Sequence, residues 1–187
     1  MRGRKRKPGR RTACGRLARH ETEKETMATV IAARRRHFGV SAREARDPRL
    51  GTALGRLHYQ GRISDEQYQA GQTFGELYQR HHRTMGLPTP SPRSVAGLLI
   101  NEGIFGGSGS EPSPDDVARL RRRFDEAMAA LDACDRAHRL SMGRRPAALI
   151  YRLVCVDEDA RGWPDEDIGN LRLGLNALAG VFRLKVG

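Results

Sequence analysis

An all-α protein is what this sequence predicts, and three observations carry the prediction. Apolar side chains recur at three- and four-residue intervals through long stretches. Strong helix-start signals stand at Ser64, with Gln67 three residues on, and at Ser113, with Pro114 behind it. Gly- and Pro-rich segments separate these stretches, and no segment requires a strand. The expected architecture is a helical hairpin plus a C-terminal helical bundle, behind a disordered basic N-terminal arm.

Residues 1–20 hold nine Lys/Arg and no carboxylate, together with three glycines and a proline, and are expected to be disordered when unbound. Residues 21–38 read as a helix. Glu21, Glu23 and Glu25 sit in its first turns and Arg34, Arg35, Arg36 and His37 in its last, as the helix dipole favours. Gly39 is its stop. A short helix over 48–59 puts Leu50, Leu54 and Leu57 on one stripe. Gly61-Arg62-Ile63-Ser64 then turns the chain into a helix reaching Met85, with Ser64 and Gln67 as a capping box and Ile63 stapled to Tyr68.

The prolines of 87–94 make an extended connector. Ser91–Pro92 caps a brief helix through Val95, Leu98 and Leu99, and residues 106–112 form a Gly/Ser linker. That linker is expected to divide a helical region at 21–105 from one at 113–187. In the second region Val117, Leu120, Phe124, Ala127, Leu131, Cys134 and His138 form a heptad seam, suited to bundle packing or a short coiled coil. A helix from Pro146 carries Leu149, Ile150, Leu153, Val154 and Val156. An acidic break follows, and Asp165, Glu166 and Asp167 open the last helix, with Ile168, Leu171, Leu175, Leu178 and Phe182 facing inward.

The chain has 187 residues and a net charge of +12, of which the first twenty residues supply +9. Beyond them 25 basic face 22 acidic side chains, an ordinary balance. A block of like charge seeks a polyanion, in the first place nucleic acid. The three cysteines form no CxxC pair, and their odd count points to reduced thiols in a cytoplasmic protein. No stretch approaches the roughly 20 apolar residues of a spanning helix, so no membrane role is expected.

Arg2-Gly3-Arg4 resembles the core of an AT-hook, which lies extended in the minor groove of A·T-rich DNA. Lys5 stands where that motif has proline, so general phosphate binding by the same residues is the broader expectation. Lys7-Pro8-Gly9-Arg10-Arg11-Thr12, with Gly15-Arg16-Leu17, resembles the opening of small uncharacterised proteins of bacteriophages and prophages of high-GC bacteria. Some of these continue with a helical hairpin similar to Leu54-Gly55-Arg56-Leu57, Gly61-Arg62-Ile63-Ser64 and Gln67-Tyr68-Gln69-Ala70-Gly71 here. The resemblance spans about the first half of the chain. It implies a phage or prophage setting and assigns no activity.

Other features have plainer readings. Gly71 and Gly75, four apart on an inward face, would let a second backbone come close, the 48–59 helix being the candidate. His81 and His82 read as a solvated helix end. Cys134 and His138 have i, i+4 spacing but no further ligands in sight, so no metal is expected. Asp157-Glu158-Asp159 reads as an exposed turn and Asp165-Glu166-Asp167 as helix N-terminal charge, against a metal-dependent nuclease. No phosphate-binding loop or nucleophile elbow is present. Arg119 and Arg121–Arg123 with Arg144 and Arg145 could form a second basic patch, and Trp163 seals a corner between the last two helices. A helix-turn-helix over 146–183 is rejected, because carboxylates open its would-be recognition helix.

The leading expectation is a non-enzymatic nucleic-acid-binding accessory protein without cofactor, serving transcription or DNA packaging. Arg2, Arg4, Lys5, Arg6, Lys7, Arg10, Arg11 and Arg16, with Arg34, Arg35 and Arg36, would hold the phosphates of DNA or RNA. Val117, Leu120, Phe124 and Leu131 would serve self-association or a helical protein partner. The alternative is a protein–protein adapter that makes no nucleic-acid contact.

Overall fold

The computed structural model describes residues 21–90 and 113–184, with side chains from Thr26 onward. The basic arm, the brief helix at 91–103 and the Gly/Ser linker lie outside the described residues. Six helices and no strand are found among those described, and the protein is all-α. The helices are α1 (Glu21–Phe38), α2 (Ala53–Tyr59), α3 (Asp65–Met85), α4 (Pro114–Ala137), α5 (Pro146–Ile150) and α6 (Asp165–Val181). Two compact units divide between Asp47 and Pro48. Helices α2 to α6 form one core cluster across the Gly/Ser segment, because each buries its apolar stripe on the others.

In the larger unit α6 is the common partner: α3, α4 and α5 all pack on it. Its Ile168, Leu171, Leu175 and Leu178 are fully buried, as are Leu131 of α4 and Leu149 and Ile150 of α5. At roughly 1.5–3 kcal/mol for each fully buried large side chain, this helix anchors the unit. The heptad seam of α4 faces the same core, with Leu131 buried and Leu120 and Phe124 partly so.

The α2–α3 hairpin follows from local chemistry. The Ser64 hydroxyl accepts from the Gln67 backbone N–H, and the Gln67 side chain accepts from that of Ser64. Gly61, at φ +69°, supplies the left-handed residue of the turn. Proline 48 opens a single 3-10 turn (Pro48–Gly51) where one continuous helix was expected, and Thr52 caps α2 after it. Gly55 shows why. A Cβ there would stand 2.0 Å from the Arg49 carbonyl oxygen, so the turn folds back against a residue that must lack a side chain. Gly71 makes the predicted close approach: its Cβ would stand 2.7 Å from Leu54 Cδ2 of α2. Gly75 faces Val154 instead.

The helix expected from Pro146 is α-helical only to Ile150 and then widens into a π turn over Tyr151–Cys155. Beyond it Asp157 takes a left-handed φ of +56°, which aspartate tolerates better than most residues. Its carboxylate accepts from the Ala53 N–H at 2.6 Å, capping α2 from 104 residues away. Trp163 is buried as predicted, and the Arg144 guanidinium lies 4.6 Å above its ring.

Asp167 was expected to be an ordinary helix-start carboxylate; it is instead 3% exposed. It accepts from the Arg144 N–H at 2.7 Å and from its guanidinium at 2.8 Å. Burial alone would raise its pKa. The hydrogen bonds from Arg144 and the charges of Arg144 and Arg152 outweigh that and hold it below the usual carboxylate range. Arg152 in turn grips Glu158 with two bonds of 2.7 Å, and that contact lowers the Glu158 carboxyl.

Two predictions follow from this packing. Gly55→Ala forces backbone to move and is expected to destabilise by about 3 kcal/mol, read from the urea midpoint. Asp167→Ala is expected to cost about 2 kcal/mol at neutral pH, by removing the acceptor of the Arg144 N–H and the nearer of its two carboxylates. A depressed folded pKa stabilises above the unfolded value of about 4, and that contribution is lost as pH falls through the folded one. The wild type therefore loses stability more steeply than Asp167→Ala on acidification below about pH 5. Parallel acid profiles would contradict this.

Candidate nucleic-acid interface

The excess charge is concentrated in the first twenty residues, which supply +9, while residues 21–47 add +1. Residues 1–47 hold 15 basic and 5 acidic side chains; residues 48–187 hold 19 and 17. Nearly the whole net charge therefore resides in residues 1–47, +10 against +2. Their described part is built to present arginines. Helix α1 ends in Arg34, Arg35, Arg36 and His37, beside carbonyls that carry partial negative charge. Gly39, at φ +66°, donates its N–H to the Arg35 carbonyl at 3.0 Å and turns the chain.

Ser41 and Glu44 then form a second reciprocal box. The Glu44 carboxylate accepts from the Ser41 N–H at 2.8 Å, and the Ser41 hydroxyl from the Glu44 N–H at 3.2 Å. This starts the 3-10 turn Glu44–Arg46, whose Ala45 is buried. Arg34 Nη1 donates to the carbonyls of Ala45 at 3.0 Å and Asp47 at 3.1 Å. The clamp holds the turn against α1, leaving Arg35, Arg36, His37, Arg43 and Arg46 exposed around the helix end.

Of the sequence-predicted phosphate ligands, Arg2, Arg4, Lys5, Arg6, Lys7, Arg10, Arg11 and Arg16 lie outside the described residues. Arg35 and Arg36 are exposed. Arg34 differs from them: it is half-buried and holds backbone carbonyls, so its part is to position the turn. Arg43 and Arg46, not singled out from the sequence, are exposed beside them. The Ser41-x-x-Glu44 spacing, a helix-start signal, would have found their turn.

The larger unit corrects several readings. The turn at 157–159 is partly buried and structural: Asp157 caps α2, Glu158 holds Arg152, and Asp159 pairs with Arg161 at 2.7 Å. Asp165 reaches Arg62 at 2.6 Å. These carboxylates are spent within the fold, and no group of three His, Cys, Asp or Glu among the described residues could hold a metal. Arg144 leaves the proposed second basic patch, because Asp167 and Trp163 hold it inward. The Arg119 guanidinium meets Asp116 on its own helix.

His81 and His82 are not a solvated helix end. His81 stacks on Phe124 at 4.0 Å and His82 on Tyr78 at 3.9 Å, because the apolar face of α3 continues through them to α4. Burial lowers the His81 pKa, helped by His82 and Arg121 and opposed by Asp125. Burial pushes the Cys155 thiol up to about 12 and raises that of Cys134, so both are protonated at neutral pH.

Arg34→Ala removes the clamp. Amide exchange at Ala45, Arg46 and Asp47 is expected to quicken about fivefold, for about 1 kcal/mol of lost local stability, while the larger unit keeps its protection. Unchanged exchange at those amides would show that the turn stands without Arg34. Compared with protein-family models, with curated proteins and with solved structures, the chain has no significant match.

Proposed function

We propose that the chain is a non-enzymatic nucleic-acid-binding accessory protein of phage or prophage type, acting in transcription or DNA packaging. The single observation that carries this is the segregation of charge: +10 on residues 1–47 and +2 on the remainder. A chain needing charge only for solubility gains as much from an even distribution. A concentrated block repels itself and is favourable where a polyanion neutralises it.

The residues of the grip are Arg2, Arg4, Lys5, Arg6, Lys7, Arg10, Arg11 and Arg16 on the arm, with Arg35, Arg36, Arg43 and Arg46 continuing it. Each phosphate they neutralise releases counterions, which drives binding without demanding a base sequence. DNA is the first ligand on this reading and RNA the second. Arg2-Gly3-Arg4 adds a preference for narrow A·T-rich minor grooves, where two arginines meet the strongest negative potential.

Titrating the full chain against a labelled duplex at several salt concentrations tests the reading. The expected log–log slope is on the order of −4, for about five phosphates neutralised. Deletion of residues 1–20 is expected to abolish most of the affinity. A full chain that binds neither duplex nor single strands in dilute buffer would overturn the proposal.

A further inference from the structure

The loop joining α4 to α5, residues 138–145, carries two large apolar side chains in water on a tightly held base. Leu140 is 89% exposed and Met142 79%. The Asn170 amide of α6 donates to the carbonyls of Met142 at 2.8 Å and Arg144 at 3.0 Å. Asp167 receives the Arg144 N–H, and Ser141 donates its own to the His138 carbonyl at 3.0 Å. Gly143 has a φ of +88°, and a Cβ there would stand 2.7 Å from the Asp167 carboxylate, so the backbone is seated against that group. Asp167 and Asn170 are the two buried polar side chains of the described core, and both are spent on this loop. Burying such groups is unfavourable unless they are fully bonded, and here the bonds fix a tip that adds nothing to the core.

The exposed charges around the tip are three arginines and one carboxylate. Arg136, Arg139 and Arg145 are exposed. Of the carboxylates beside the loop, Asp167 is held by Arg144 and Asp135 by the Ala147 N–H, while Glu166 is exposed next to Gly143.

We propose that this loop is a second nucleic-acid contact, in which Arg139 and Arg145 hold phosphates while Leu140 and Met142 press between bases. Size decides against a protein partner. A stable protein interface takes roughly 800 Å² from each side, which two side chains on a narrow tip do not supply. A wedge between base steps takes one or two apolar side chains, and leucine and methionine serve in that role. A rigid base suits it, because a slack loop would fold its apolar tip away rather than drive it into a stack. The inference rests on the nucleic-acid reading above, and adds local unstacking to a grip that otherwise follows charge alone.

The test uses the full chain with a short duplex carrying 2-aminopurine, whose fluorescence rises when its neighbours unstack. Saturating wild type is expected to raise the signal. Leu140→Ser with Met142→Ser is expected to lose most of the rise at saturating protein. Leu140→Met with Met142→Leu keeps it. Arg139→Glu with Arg145→Glu is expected to weaken binding about tenfold and flatten the salt slope. Wild-type binding without a rise, or a double-serine variant that retains it, would overturn the wedge and leave the phosphate grip standing. Unchanged affinity in the double-glutamate variant would return the loop to protein docking. Absence of any wild-type binding would remove both readings together.

Discussion

The larger unit depends on a carboxylate that the fold pulls into its interior. Helix α6 must bury its apolar stripe against α3, α4 and α5, and that placement takes Asp167, in its first turn, out of water. An unpaired carboxylate there would be severely unfavourable. Arg144 relieves it with backbone and side chain together, and lies across Trp163 as it does so. The pairing therefore sets the path of the 138–145 loop, the seat of the tryptophan and the register of α5 on α6. One electrostatic requirement of the core is in this way converted into the geometry of a surface loop.

The same economy recurs elsewhere. Asp157 adopts a left-handed backbone and completes the start of α2, joining the acidic turn to the hairpin. Glu158 and Arg152 close the π turn on itself. Acidic residues whose clustering suggests metal chemistry are thus the means by which separate parts of the chain are tied together. The arginines divide into those that face carboxylates or carbonyls of the protein and those left to solvent. Arg34, Arg144 and Arg152 belong to the first kind, Arg35, Arg36, Arg43 and Arg46 to the second.

What was legible in the sequence was what short range determines. Ser64 and Gln67 are three residues apart and make the box their spacing predicts, and Ser113 caps α4 for the same reason. The inward stripe of α6 follows from its period, and Gly71 signalled a close approach that Leu54 makes. What was hidden depends on partners far along the chain. Nothing near Asp157 marks it as the cap of α2, and three carboxylates before Ile168 have a sufficient local explanation in the helix dipole. The Gly/Ser composition of 106–112 says nothing of whether its flanking helices pack together. For the same reason the division after Asp47 left no mark in the sequence. His81 and His82 look solvated by polarity, while their rings continue an aromatic face toward Phe124.

The proposed function makes a claim about place: nucleic acid would be gripped by residues 1–47 and touched by the 138–145 loop, with α2, α3 and the body of α6 free of it. Photocrosslinking the intact chain to a thymidine-analogue duplex, with the crosslinked peptides located by mass spectrometry, tests this directly. The account predicts adducts confined to those two regions. Adducts concentrated on the α2–α3 hairpin, or none at all at saturating protein, would contradict it.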